Sequence, residues 1–411
     1  MLLSPFTPLK LPNGQVIKNR LVKAAMEENL GDAELKPSSE LVHLYRQWMR
    51  GGVGAMITGN VMVDHLAMTG PGGIALEADS ELEMFREWSS VVDKGECKII
   101  MQINHPGRQV YKRQGGKALA PSAIPLDMGK HSNLFAEPVA MTEADIEDII
   151  KRFVQTSKQA QKAGFNGVQV HAAHGYLLNQ FLSPKTNQRQ DNWGGGIENR
   201  ARLLLTIIKQ IRQAVGADFI VAVKLNSADF QRGGFSCDDA AEVINMLNQE
   251  QVDFVEISGG NYEAPAMQGR GADEHTLARE AYFLTFAQQL QKVAQMPLMV
   301  TGGISNYSTA SKVLASKVDL VGMASALAIQ PDLPLWWQSR TEFKPKLPKV
   351  KLKDKTMTAL ATMATIRRHL SRHGHGKFSR PIHPVVSLVL DQMKLARLNK
   401  RYRKNYIDKA N

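Results

Sequence analysis

The chain has 411 residues, 43% hydrophobic and 22% charged, an ordinary globular balance that excludes a disordered or collagen-like protein. Its two cysteines, Cys97 and Cys237, cannot build a disulfide framework, an iron–sulfur cluster or a four-thiolate zinc site. A net charge of +12 points first to polyanions, yet 18 of the 51 Lys+Arg and three of the 39 acidic residues fall in 343–411, so a tail of +15 follows a body of −3.

The first segment, MLLSPFTPLKLPNGQVIKNR, has prolines where a signal peptide needs an apolar helix. No apolar run approaches the ~18 residues of a membrane span. The expected environment is cytoplasmic and reducing.

In chain order, residues 9–20 read as a small hairpin turned at Asn13-Gly14. Eight short apolar runs follow, at 21–26, 54–63, 98–104, 167–172, 219–225, 254–258, 298–301 and 320–323. They are continuous rather than alternating, as in parallel strands covered on both faces. Helical patterns separate them at 39–50, 80–93, 142–163, 197–215, 238–249, 281–294 and 306–316. Thr142 followed by Asp145 reads as an N-cap, and Gly164 as the stop of the same helix. Eight strand–helix units predict a (β/α)8 barrel, an α/β TIM barrel. The rival doubly wound sheet needs a Gly-x-Gly-x-x-Gly turn after its first strand, and Ala24-Ala25-Met26-Glu27-Glu28 supplies none.

Barrel chemistry sits at the C-terminal strand ends. The Thr301-Gly302-Gly303 turn predicts a phosphate held by backbone N–H groups at a helix N-terminus, against a plain tight turn. His171, His174 and Tyr176 cluster after the fourth strand. Two imidazoles can hold one substrate oxygen and a phenol can deliver a proton. A zinc pair is the competing chemistry, without an obvious third ligand, and a pair of hydrogen-bonded rim histidines is the structural alternative. Gln102 and Lys224 suit a flat heterocycle whose carbonyl becomes anionic on reduction, although an interior lysine also suits a structural pair with a carboxylate.

These residues match a family. HAAHGYLLNQFLSPKTNQRQDNWGGGIENRARLL, from His171 onward, closely resembles the signature of the Old Yellow Enzyme family of FMN-dependent NADH:flavin oxidoreductases and ene reductases. PLKLPNGQVIKNRLVKAAM, GGVGAMITGN, QINHPGRQ, VTGGIS and VGMASALAIQPDLP support it in order and spacing.

The resemblance implies a tightly bound, non-covalent FMN across the barrel mouth. Ala25 and Met26 would meet it through backbone, with Gly59 close to the ring. Gln102 would bond the pyrimidine edge and Lys224 stand near N1 and the C2 carbonyl. Gly302, Gly303, Gly322 and Met323 would hold the phosphate. It further implies hydride transfer from NADH or NADPH through flavin to the β-carbon of an enone-type substrate. His171 and His174 would hold the carbonyl oxygen, and Tyr176 would protonate the α-carbon.

The sequence departs from the family pattern at three places. Glu27 stands where Thr or Cys is usual, and an ionised carboxylate there disfavours an anionic reduced flavin. Lys224 replaces Arg and loses its planar fork, and Gly322-Met323 replaces Gly-Arg. The relatives that carry an iron–sulfur cluster and a second flavin domain need cysteines that this sequence lacks.

The expected organisation is therefore an FMN-binding barrel over 1–342 and a basic, helical extension over 343–411, with helix-compatible patterns at 357–370 and 385–399. The extension reads as a tail docked on the body, or as a peripheral contact with the inner membrane face through Val385, Leu388 and Leu390. Nucleic acid ranks last, because no recognition module accompanies the charge. A homo-oligomer is compatible with the sequence. Two other functions are carried as alternatives. One is a cofactor-free phosphate-binding lyase or isomerase using His171 and Tyr176. The other is a flavin barrel acting as a membrane or partner scaffold.

Overall fold

The structure, a computed structural model, describes residues 3–92, 97–266, 281, 283–378 and 382–409. Eight parallel strands close a barrel: β1 (Leu21–Lys23), β2 (Ala55–Ile57), β3 (Lys98–Asn104), β4 (Gly167–Ala172), β5 (Ile220–Asn226), β6 (Phe254–Ser258), β7 (Leu298–Thr301) and β8 (Leu320–Met323). Each pairs with the next, and β8 returns to β1 with Val321 opposite Leu21. The expected hairpin is present below the barrel, with Leu9 opposite Ile17.

Among the described residues the α-helices are α1 (Ser39–Arg50), α2 (Glu83–Ser89), α3 (Glu143–Lys162), α4 (Leu177–Leu182), α5 (Ile197–Val215), α6 (Cys237–Leu247), α7 (Leu284–Leu290), α8 (Tyr307–Ala315), α9 (Ser325–Ile329), α10 (Leu333–Ser339), α11 (Lys355–Gly374) and α12 (Pro384–Tyr402). Thr142 and Asp145 form a reciprocal capping box on α3, and Gly164 takes φ +89° beyond its end, so both boundary residues act as their chemistry dictates.

Several boundaries differ from the expected ones, among them the helix expected at 281–294, which spans Leu284–Leu290; three differences have a local reason. β1 stops at Lys23, three residues early, because residues 25–28 leave the sheet as the loop carrying Glu27. The second apolar run breaks at Thr58–Asn60, where the Thr58 hydroxyl accepts from Gln102 N at 2.9 Å, and resumes as a separate pair at Val61–Met62. α2 begins only at Glu83 because Glu77–Ser80 form a turn in which Ser80 Oγ accepts from Glu77 N.

Alternation along the strands separates two cores. Leu21, Met56, Ile99, Val168, Val221 and Val255 face outward to the helices. Val22, Ala55, Ile100, Ile220, Phe254, Met299 and Leu320 fill the barrel floor. Continued toward the C-terminal ends, the inward set becomes Gln102, Lys224, Glu256 and Thr301. The floor is therefore apolar and the mouth polar, with one period running through both.

The extension lies against the barrel. α11 packs on α1, where Gln47 Nε2 donates to His373 O at 2.6 Å. α12 crosses the loops that follow the first three strands. Lys394 donates to Asn29 O, Arg401 to Asp32 O and Asn399 to Arg113 O, at 2.9–3.2 Å. Tyr402 is buried with Leu35, Met62 and Met68 and donates to His65 O at 2.7 Å. No helix among the described residues is long and apolar enough to cross a membrane.

Candidate active site

A single hydrogen-bonded layer spans the barrel beneath its mouth. Gln102 Nε2 donates to Gln169 Oε1 at 2.7 Å, and Gln169 Nε2 donates to Glu256 Oε2 at 2.8 Å. The other Glu256 oxygen receives Lys224 Nζ at 3.0 Å and the Thr301 hydroxyl at 2.7 Å. Lys224 is thus a cation with a built-in counter-ion; Glu256, fully buried, is a residue the sequence reading missed. Its signal was a lone carboxylate inside the apolar run Phe254–Ser258.

Above that layer the fourth strand delivers its histidines. The His171 ring meets His174 edge-on with centroids 5.0 Å apart and Tyr176 at 4.9 Å. His171 Nδ1 accepts from Ala173 N at 3.2 Å, so a neutral His171 carries its proton on Nε2. His174 sits at φ +61°, a conformation rare outside glycine and a few polar residues. That turn is held from three sides. Asn226 Oδ1 accepts from His174 N at 3.1 Å, Asn179 Oδ1 accepts from Gly175 N at 2.7 Å, and Ser258 Oγ lies 2.7 Å from His174 Nε2. Asn226 Nδ2 bonds Asp229 Oδ1 and Gly260 O in turn.

Burial holds both imidazoles well below the usual histidine range. The neighbouring His174 and then Lys224 add to it at His171, and Lys224 does so at His174. At neutral pH both rings are uncharged hydrogen-bond partners.

Tyr176 is buried, and its hydroxyl lies 3.3 Å from that of Tyr262 and 3.4 Å from Glu27 Oε1. Burial raises the Tyr176 phenol well above its ordinary value, reinforced by Tyr262 and Glu27. Burial raises Tyr262 likewise, reinforced by Glu27 and Tyr111. Both phenols are proton carriers at working pH. Tyr262 was not foreseen; as a tyrosine in a loop, it gave no sequence signal. Glu27 also accepts from Asn60 Nδ2 at 3.1 Å. Its loop is anchored by a buried cluster outside the barrel, where Lys23 Nζ reaches Glu28 Oε1 (2.8 Å), Tyr45 OH and Ile57 O (2.9 Å each). Tyr45 OH also accepts from Gly59 N.

The remaining sequence-derived positions divide. Ala25 and Met26 are half-buried in the loop after β1. Gly59 has no room for a side chain: a Cβ would lie 2.2 Å from Met26 O and from Glu28 Oε2. At Gly322 a Cβ would lie 2.0 Å from Thr301 Oγ1. Met323 turns its side chain into the outer core, leaving only its backbone toward the mouth side. Gly302 and Gly303 take φ +125° and +70°. They do not open the helix directly, as the sequence reading had it: α8 starts at Tyr307, capped by Asn306, because Ile304 is buried and the turn runs on to seat it. The phosphate-type donors are therefore N–H groups of a turn. The described residues that could jointly hold a metal are Asp64, His65 and Glu77, away from the histidine pair, and Lys117 and Arg152 already ion-pair with that cluster.

This polar mouth suits a planar redox cofactor. Asn104, buried at the C-terminal end of β3, has neither side-chain polar atom bonded among the described residues, as expected beside a polar ligand. A cation, an amide and a glycine-rich turn with left-handed backbone stand around the same opening. The fold and the site together are compatible with a barrel oxidoreductase that holds a planar cofactor at its mouth.

Residues 4–342 match the model of the NADH:flavin oxidoreductase / NADH oxidase family, and the chain belongs to that family. It is 38% identical over 329 residues to the NADH-dependent flavin oxidoreductase nadA of Aspergillus parasiticus, covering 77% of this chain and 74% of that one. With iliE of Neonectria sp., also an NADH-dependent flavin oxidoreductase, identity is 35% over 83% of this chain but only 48% of the relative. The fold is that of an old yellow enzyme homologue from Zymomonas mobilis, with a TM-score of 0.71, 23% identity, and coverage of 83% of this chain and 94% of that one. A 2-naphthoyl-CoA reductase superposes with a TM-score of 0.74 at 26% identity, covering 82% and 52%. Membership makes FMN the cofactor and a reduced nicotinamide the hydride donor, and it removes the cofactor-free lyase or isomerase alternative.

Proposed function

We propose that the chain reduces an electron-poor, carbonyl-activated C=C bond, with residues 1–342 carrying the chemistry and 343–411 a docking element. The observation that carries this is the meeting of His171, His174 and Tyr176 above the Gln102–Lys224–Glu256 layer. FMN supplies hydride storage between the nicotinamide and the alkene. Gln102 and Lys224 would hold its pyrimidine edge, Ala25, Met26 and Gly59 its ring, and the Gly302, Gly303, Gly322 and Met323 backbone its phosphate. Lys224 brings a charge that Glu256 already balances, so it stabilises a developing anion less than an unpaired arginine would.

The chain's own part in the reaction follows from its protonation states. Neutral His171 presents Nε2–H to a carbonyl oxygen, and His174 stands beside it, so enolate charge is met by donors that need not move. As hydride arrives at the β-carbon, the Tyr176 hydroxyl delivers the proton to the α-carbon and is left as a phenolate, re-protonated from Tyr262 or from solvent through the mouth. Anaerobic mixing with NADH or NADPH tests the reading: the yellow protein bleaches, and an enone restores its colour. Flavin that never bleaches, or that an enone never reoxidises, sinks it. His174→Ala should also weaken a phenolic ligand and its long-wavelength band.

We also propose that the extension makes peripheral contact with a membrane. Val385 and Leu390 are exposed, as that contact requires, but Leu388 is buried against Ala361 and Ala364 and has to be removed from the contacting set.

A further inference from the structure

The helical hairpin of α11 and α12 leaves one face open. Val386, Val389, Leu390 and Met393 are 46–53% exposed, at spacings of three, four and seven that place them in one stripe. Val385 borders the stripe, and Phe378, 91% exposed, stands in the connection before α12 beside exposed Lys377. Eleven and fourteen residues beyond Val386 the same stripe continues as Arg397 and Lys400, both exposed. Among the described residues nothing apolar covers this face, and the opposite side of α12 uses Leu388 against α11 and Tyr402 against the barrel.

Its position matters as much as its composition. Asp391, next to Leu390, holds Arg367 of α11 through two hydrogen bonds of 2.9 and 2.5 Å. The second half of α12 rests on Asn29, Asp32 and Arg113, all in loops on the C-terminal side of the barrel strands.

We propose that the aliphatic stripe of α12, with Phe378 at the hairpin tip, seats the protein on an anionic lipid bilayer and brings the barrel mouth to that surface. The favoured substrates are then amphiphilic electron-poor alkenes dissolved in the bilayer; this part rests on the alkene-reduction reading above. Aliphatic side chains enter the interfacial region, while Lys377, Arg397 and Lys400 meet lipid phosphates. A second copy of the chain is the poorer occupant, because it would bring two +15 tails together.

Co-sedimentation of the full-length yellow protein with vesicles of phosphatidylcholine, alone or mixed with phosphatidylglycerol, tests the docking. Binding is expected only with the anionic lipid, falling with added salt. Val386→Glu combined with Leu390→Glu should lower it by about tenfold or more, and Arg397→Glu with Lys400→Glu should also lower it. These variants keep their flavin spectrum and their bleaching by NADH. An amphiphilic enone carried in the vesicles should be reduced faster as the phosphatidylglycerol fraction rises, for the wild type and not for the variants.

No binding to anionic vesicles by protein that still bleaches overturns the inference and leaves the flavin reading intact. A concentration-dependent doubling of mass that the Val386/Leu390 variant abolishes assigns the face to a second copy and overturns it equally. Vesicle binding by protein that no enone reoxidises keeps the docking and removes the alkene reading.

Discussion

Glu27 Oε1 stands 3.4 Å from the hydroxyl of Tyr176, so one of the residues that depart from the family pattern touches the proposed proton donor. A carboxylate beside a phenol keeps that phenol protonated, in the direction already set by burial and Tyr262. Glu27→Gln should therefore bring the alkaline limb of alkene reduction to lower pH. Tyr176→Phe should slow the same half-reaction by about 10²-fold or more and leave reduction by NADH nearly unchanged. Stopped-flow measurement of the two half-reactions over a pH series separates these effects. An alkaline limb that stays put in Glu27→Gln would show that the carboxylate does not govern Tyr176.

The Lys224–Glu256 pair gives a stability test. Both ends are buried, so removing one partner strands the other charge, at a cost of about 3–5 kcal/mol. Glu256→Gln should lower the urea midpoint accordingly, while Lys224→Met with Glu256→Gln should recover much of the loss. The comparison belongs on apoprotein as well as holoprotein, since FMN binding adds stability of its own. If the single and double variants unfold together, the ion pair is not what supports the layer.

Acid should destabilise the protein through its buried histidines. His105 has no exposed surface, its Nδ1 accepts from Gly107 N at 3.1 Å, and burial lowers its pKa to about 4. The folded value lies below the unfolded one near 6.5. Stability from this group is therefore complete above about pH 6.5 and is lost as pH falls toward about 4. The unfolded chain binds the proton that the folded chain refuses, with a slope of about 1.4 kcal/mol per pH unit from this residue alone. His105→Asn should reduce the fall in urea midpoint between pH 7 and pH 5, measured against wild type.

Legibility in the sequence followed periodicity and chemistry rather than rarity. Eight strands were readable because each is a short apolar run between turn residues, and β3, β4, β6, β7 and β8 end where the runs end. His171, His174 and Tyr176 were readable because three reactive side chains crowd one strand end. What stayed hidden was partnership. Lys23 and Glu28 sit five residues apart in a charged stretch, and nothing local says that Lys23 turns outward into a cage of Tyr45 and Trp48. Glu256 becomes meaningful only when the barrel closes and places β6 beside β5. The short helix α4 was hidden because its six residues, all buried, show no amphipathic period. α12 was placed correctly but its contacting face was not, because Leu388 could be assigned inward only once α11 was beside it.

The loop that carries Tyr262 is clasped one residue further on, at Glu263. Arg108 NH2 bonds Glu263 Oε2 at 3.0 Å, and its NH1 bonds Ile124 O and Pro125 O at 3.0 and 2.8 Å. The other Glu263 oxygen accepts from Asp127 N at 2.7 Å, and Gln231 Nε2 reaches Glu263 at 3.0 Å. One buried ion pair thus ties the loop after β3 to the loop after β6, and through it fixes Tyr262 against Tyr176. Glu263→Gln keeps the shape but removes the charge that balances Arg108, so the two loops should separate. The expected result is a KM for the alkene raised roughly 10-fold, on the scale of about 1.4 kcal/mol of lost positioning, with the rate of flavin reduction by NADH unchanged. Arg108→Met with Glu263→Met should restore much of the KM by leaving no stranded charge. Equal losses in both half-reactions would instead mean that the clasp supports the whole mouth rather than the position of Tyr262.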